Sequence, residues 1–283
     1  MSINEELVAS CIDMRKTFLL RSFAAFMFVL LILAGQYSCF AYSLSASVEQ
    51  EHYIQFDKTN IVVDTMTGKP VSGANVSIPS KGVIAQTDDK GKFNLNVNLK
   101  GPTILSISAQ GYKPFSLTLT EDGTKSPLTI GITKSGKELV IDADLRHLGD
   151  DVFSSESANA GDFRVKAIGP YFHKEFYVDQ LEKDAHVFLK IGSVIGVDTE
   201  VARRLNQGSA RNGISSPTQI YVNSQKIGEL KINGDNQEIL VPSNLLRPNN
   251  HNQIVIETGK NLFSRKRIDY DDIEIMNLIL EFK

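Results

Sequence analysis

Tryptophan is absent from the 283-residue sequence, and cysteine occurs only at Cys11 and Cys39. Beyond residue 41 the chain therefore has no disulfide, no thiol nucleophile and no thiolate metal site. An excess of charge of one sign is lacking too. Thirty Lys and Arg stand against 33 Asp and Glu, a net charge of −3, which leaves no strongly basic surface to hold nucleic acid. A composition of 42% hydrophobic and 22% charged residues excludes a collagen-like, coiled-coil or disordered chain, and the length suits two modest domains. Catalytic signatures are missing as well. His52, His147, His173, His186 and His251 form no HExxH or His-x-His pair, and there is no Gly-x-Ser-x-Gly elbow, Walker loop or dinucleotide fingerprint. The chain is expected not to be an enzyme; a glycosidase or lyase ranks last among the readings, because no two carboxyls are placed to face one cleft.

The one long hydrophobic run lies near the N-terminus. Arg15, Lys16 and Arg21 precede an uninterrupted apolar stretch at 23–35, the shape of a secretory signal peptide, with cleavage expected after Ala41. Glu5, Glu6 and Asp13 are unusual ahead of a signal, which makes Met14 the alternative start. The rival reading is an uncleaved anchor over 22–42, where Gln36 is the only strongly polar interruption. Either way the basic residues stay inside and the rest is exported, to the periplasm, the cell surface or the exterior, touching a membrane only through residues 1–41 if these are kept.

From Tyr53 onward apolar residues recur mainly with period two, as in Asn75-Val76-Ser77-Ile78, Ile104-Leu105-Ser106-Ile107 and Phe115-Ser116-Leu117-Thr118-Leu119. Such alternation marks half-buried strands. Turn signals separate them at Thr67-Gly68-Lys69-Pro70, Asp88-Asp89-Lys90-Gly91, Lys100-Gly101-Pro102 and Glu121-Asp122-Gly123. Short strands so spaced predict an all-β chain of antiparallel sandwiches, and no long amphipathic helix follows residue 42. The stretch 54–133 resembles the carboxypeptidase-regulatory-like domain, a small transthyretin-like β-sandwich. The resemblance is carried by Val63-Asp64, Thr67-Gly68-Lys69-Pro70-Val71, Gly73-Ala74-Asn75-Val76, Thr87-Asp88-Asp89-Lys90-Gly91-Lys92-Phe93 and Ala109-Gln110-Gly111-Tyr112. It implies a structural or interaction module without catalytic residues; in the glycan reading below it serves as a spacer.

After a polar bridge at 133–137, a second unit at 138–283 offers candidate strands at 137–143, 163–168, 172–178, 185–191, 219–222, 226–232, 238–241, 253–257 and 273–282, with a helical turn at 243–246. Nine strands in about 146 residues fit a larger jelly-roll sandwich. Ile220-Tyr221-Val222-Asn223, Ile239-Leu240-Val241-Pro242, Asn252-Gln253-Ile254-Val255 and Asp269-Tyr270-Asp271-Asp272-Ile273-Glu274-Ile275 resemble the galactose-binding-like jelly roll of carbohydrate-binding modules. That resemblance implies glycan binding, without the usual indole platform.

Two acidic clusters, Asp150-Asp151 and Asp269, Asp271 and Asp272, would meet if the first and last strands of this unit are neighbours, and their oxygens suit a structural calcium ion. The bland reading is that each aspartate caps a turn. The polar stretch 198–217 is long for a structureless loop. Its Arg203, Arg204, Asn206, Arg211 and Asn212, with Tyr221 beyond it, suit forked hydrogen bonds and stacking against a sugar. A short helix over 199–206 or a solvated loop is the alternative. Tyr171 and Tyr177 are further stacking candidates. The expected partner is a polysaccharide or other glycan held by the second domain; the alternative is a structural or protein-docking envelope component without glycan binding.

Overall fold

The computed structural model of the chain describes residues 54–55, 59–154, 156–158, 163–182, 185–208, 213–264 and 267–283. The apolar N-terminal run and its cleavage position lie outside them, as do Arg211 and Asn212. Residues Tyr53–Lys283 form one compact unit that contains two separate hydrophobic cores.

The first core belongs to β1 (Ile54–Gln55), β2 (Asn60–Asp64), β3 (Asn75–Ile78), β4 (Val83–Gln86), β5 (Lys92–Phe93), β6 (Asn96–Val97), β7 (Thr103–Ser108), β8 (Phe115–Leu119) and β9 (Thr129–Ile132). Alternate residues point inward as the sequence pattern requires: Val62, Val76, Ile78, Leu105, Ile107, Leu119, Ile130 and Ile132 close the core. A sheet ordered β4-β3-β7-β8 accompanies a sheet ordered β5-β2-β9 and the small β1-β6 pair. One pair departs from the antiparallel expectation. β9 runs parallel to β2, because residues 120–128 carry the chain from β8 in one sheet into the other, and a crossover of that kind returns a strand in the same direction.

The turns explain the sequence motifs. Asp64 Oδ1 accepts the amide N–H groups of Met66 and Thr67 while its Oδ2 accepts the Tyr112 hydroxyl at 3.0 Å, which ties the Thr67-Gly68 turn to the Gly111-Tyr112 strand end. Buried Thr87 donates Oγ–H to the Val71 carbonyl and accepts from the Ala74 amide. Gly91 has φ +70°, and a Cβ there would lie 2.5 Å from the Val62 carbonyl oxygen, so only glycine lets this hairpin touch β2.

The second core belongs to β10 (Glu138–Asp142), β11 (Arg146–Leu148), β12 (Tyr171–Val178), β13 (Val187–Ile195), β14 (Thr218–Val222), β15 (Gln225–Leu230), β16 (Gly234–Val241), β17 (Asn250–Glu257) and β18 (Ile273–Phe282), with one short helix, α1 (Glu200–Arg204). A sheet ordered β10-β18-β13-β16, with β11 also on β18, faces a sheet ordered β12-β17-β14-β15. Leu148, Leu189, Ile191, Ile220, Ile254, Ile273, Ile275 and Leu280 fill the space between. The expected strand at 163–168 does not form. There the Ala167 amide donates to the Asp151 carboxylate and the Ile168 amide to the His147 carbonyl, so the backbone is satisfied without a ladder. Pattern reading missed β11, which has only three residues. Thr199 caps α1 by accepting the Ala202 amide at 3.1 Å.

The first sandwich does not stand apart from the second. It packs on the outer face of the β10-β18-β13-β16 sheet, where Ile104 of β7 meets Ile195 and Met276, with Leu145 and Phe163 around them. Polar ties surround that contact. Lys113 Nζ pairs with Glu281 at 2.9 Å, the Thr118 amide and hydroxyl donate to Asp235, and Ser193 Oγ donates to Ser116 Oγ at 3.0 Å. Asn277 sits at φ +60° in β18, where the register against β13 skips both it and Gly192. Its amide, oriented to satisfy both ends, donates to the Ala143 carbonyl and accepts from Ser116. A Cβ on Gly192 would lie 2.5 Å from Ser116 Oγ and 2.8 Å from Asn277 Cβ. Gly192→Ala is therefore expected to lower unfolding free energy by about 1–3 kcal/mol through overpacking at this contact, read by urea denaturation; an unchanged midpoint would mean that the two sandwiches do not bear on each other there.

Candidate functional site

The clusters Asp150-Asp151 and Asp269–Asp272 meet beside the buried His147, where Asp272 lies between the His147 ring and the Asp151 amide. β11 pairs with the start of β18, His147 opposite Glu274 and Leu148 opposite Ile273. That register brings the fully buried His147 ring to Asp272, with Nε2 at 3.0 Å from Oδ1. Its Nδ1–H donates to the Val165 carbonyl. Burial alone would lower the imidazole pKa, but the Asp272 carboxylate and the Val165 carbonyl outweigh it, and the pKa is raised. Protonation of the ring is thereby favoured next to the Asp272 carboxylate. Asp272 Oδ1 also accepts the Asp151 amide at 3.0 Å. Gly149 has no Cβ to spare, since one would fall 2.1 Å from Asp272 Oδ1.

The remaining aspartates diverge from this point. Asp150 accepts the Val152 and Tyr270 amides, and burial raises its pKa. Asp269 accepts from the Ala158 amide and the Asn261 side chain. Asp271 turns to the far side of the strand end, taking the Asp198 amide at 3.0 Å and the Ser215 hydroxyl at 2.6 Å; burial holds its pKa well above the usual carboxylate range. His147, Asp151 and Asp272 are the described residues whose ligand atoms lie within 4.8 Å of one another and could share a metal ion. Two buried carboxylate oxygens, Asp271 Oδ1 and Asp272 Oδ2, have no hydrogen-bond partner.

Two residues beyond Asp272 along β18, Glu274 faces a cleft of about 720 Å³ between the sandwiches. The first sandwich contributes Ser80, Lys81, Lys100, Thr103, Thr118 and Thr120; the second contributes Phe163, Arg164, Asn206, Gln207 and Asn233. Glu274 is 1% exposed, its Oε1 has no hydrogen-bond partner, and burial, opposed by His147 and Lys81, pushes its carboxyl up to about 7. Asn233 and Gln207 build one wall through two reciprocal hydrogen bonds, side chain to backbone, at 3.0 and 3.1 Å. Phe163 lies on the His147 ring with centroids 4.9 Å apart, and Gly196 leaves it room, because a Cβ there would be 2.6 Å from the Phe163 ring.

The residues expected to bind a glycan do not share one place. Arg203 is engaged within the fold: its guanidinium grips buried Asp198 through two bonds of 2.8 Å and also donates to the Gly213 carbonyl. Arg204 is exposed and pairs with Glu200 one turn earlier. Asn206, in the left-handed region at φ +58°, does line the cleft. Tyr221 alternates with buried Ile220 and Val222, so it points outward from the β12-β17-β14-β15 sheet, across the second sandwich from the cleft. Tyr171 and Tyr177 are each 43% exposed, on β12 of that same sheet. Phe163, Glu274, Lys81, Lys100 and Arg164 were missed. Only Glu274 left a signal, as a charge inside the apolar run Ile273–Phe282.

Residues 61–141 match the family model of the CarboxypepD_reg-like domain. This supports the resemblance read from the motifs between Val63 and Tyr112, and it extends through the β10 strand. No curated protein matches the chain. Among solved structures, a glycosyl hydrolase family 2 member from Bacteroides cellulosilyticus is 13% identical, with 52% of this chain and 21% of that chain covered and a TM-score of 0.26. The apo β-glucuronidase of Ruminococcus gnavus is 11% identical over 64% of this chain and 30% of that chain, with a TM-score of 0.25. The chain thus spans less than a third of either protein, and at that level of superposition the likeness decides nothing about fold or activity. Among the described residues no helix is long and apolar enough to cross a membrane.

His147, Asp150, Asp271 and Glu274 all hold their proton more tightly folded than unfolded. Each supports the folded state when protonated and withdraws that support as pH rises from its unfolded value through its folded one. For Glu274 the window runs from 4.5 to about 7, and for His147 it opens above 6.5. Urea unfolding is expected to show lower stability near pH 8 than near pH 5, and Glu274→Gln to remove up to about 3 kcal/mol of that difference. An unchanged difference in the variant would show that Glu274 is not buried as an acid.

Proposed function

We propose that the chain is an exported, non-catalytic carbohydrate-binding protein of the cell envelope or exterior, with its glycan in the cleft between the two sandwiches. The observation that carries this reading is the cleft of about 720 Å³, which both sandwiches line with amides, hydroxyls and the Phe163 ring, and whose wall includes the buried carboxyl of Glu274. The surroundings suit a sugar: amides and hydroxyls for its ring oxygens, and Phe163 for an apolar face. Calcium belongs to the reading only as a structural ion, which Asp151 and Asp272 would hold, their carboxylate oxygens lying with the His147 ring nitrogen within 4.8 Å of one another.

A second reading, a protein-docking component of the envelope, is favoured by one feature. The edge strand β4 exposes Ile84 at 74%, a place where a partner strand could add to the sheet. Affinity electrophoresis of the full chain through gels containing a panel of polysaccharides, with calcium and with chelator, separates the two. Selective retardation is expected, and Asn206→Gly, which suits the left-handed backbone at this position and removes the side-chain amide, is expected to weaken it without lowering the melting temperature; calcium dependence would assign the aspartates an ion. No retardation in any gel, together with one dominant protein crosslinked from envelope extract, would replace the glycan reading by the docking one.

A further inference from the structure

Resting on the glycan reading, the charges of the cleft carry the ligand's class further. Among the described residues the cleft is lined by three cationic side chains, Lys81 on the turn Pro79–Lys81, Lys100 ahead of β7, and Arg164 beside Phe163, and by one carboxyl, that of Glu274. They come from both sandwiches, in a chain whose overall charge is −3, so the positive sign is local to this cleft. We infer that the cleft takes an acidic sugar, a uronate or a sulfated residue, with its anionic group against Lys81, Lys100 and Arg164 and its hydroxyls against Asn206. The cations act on one another across the hollow: after burial, the neighbouring Arg164 and Lys100 are what lower the Lys81 pKa, and Glu274 is what opposes them. An anion placed among them relieves that repulsion. A neutral sugar does not.

The test uses the full chain in affinity gels carrying polygalacturonate or dextran sulfate, with neutral galactan and unsulfated dextran as matched polymers. Retention by either acidic polymer well above its neutral counterpart is expected, and which acid retains it identifies the anionic group as carboxylate or sulfate. Lys81→Ala and Arg164→Ala should each weaken retention by roughly tenfold, the scale of a lost charge-assisted hydrogen bond. Lys226→Ala, on β15, should leave it unchanged. Equal retention by acidic and neutral polymers, or an equal loss in Lys226→Ala, overturns the acidic-sugar assignment while leaving a glycan in the cleft. Retention by no polymer overturns the glycan reading itself.

Discussion

Strand β18 must be buried on both faces at once, and the rest of the fold is arranged to allow it. An antiparallel strand with one wet face alternates apolar and polar residues. β18 instead reads Ile-Glu-Ile-Met-Asn-Leu-Ile-Leu-Glu-Phe, with its first eight residues buried. Ile273, Ile275, Leu278 and Leu280 fill the second core, and each such side chain taken from water contributes about 1.5–3 kcal/mol. The opposite face carries Glu274, Met276 and Glu281, and it is the first sandwich that covers it. The small domain is thus a lid on the sheet of the large one. The cleft exists because that lid closes over Met276 and Ile195 but stands clear at Glu274.

Such a strand has few ways to carry charge, and each of its acids takes a different one. Glu281 is paired with Lys113 and Lys190. Just before the strand, Asp272 meets the His147 ring nitrogen at 3.0 Å. Glu274 has no such partner within bonding distance, and burial pushes its carboxyl up to about 7. Structural needs explain the first two arrangements. The third, a buried acid without a partner in the wall of a polar cleft, is the kind of local inconsistency that binding sites show.

Much of this was legible beforehand, because period-two alternation reports on a single strand without knowledge of its neighbours. The span Ile273–Phe282 matches its expected bounds, and Thr87, Asp88, Gly91 and Tyr112 are the residues that hold the turns of the first sandwich. What was hidden depended on pairing. A three-residue strand such as β11 is too short for any period, yet it alone brings His147 to Asp272. The parallel pairing of β9 with β2 is a property of the crossover, invisible in either strand. Arg203 looked like a ligand-binding residue because its type suits one; only the fold shows Asp198 five residues earlier already holding it. The cleft draws its lining from both sandwiches, so no single stretch of sequence could announce it.

Hydrogen–deuterium exchange of the full chain, with and without an acidic oligosaccharide, tests the central claim that the ligand lies between the sandwiches. Slower exchange is predicted in 79–82 and 100–103 of the first sandwich together with 163–164, 206–207 and 233–234 of the second. Protection confined to β12 and β14, where Tyr171, Tyr177 and Tyr221 face outward, or protection in one sandwich alone, would contradict it.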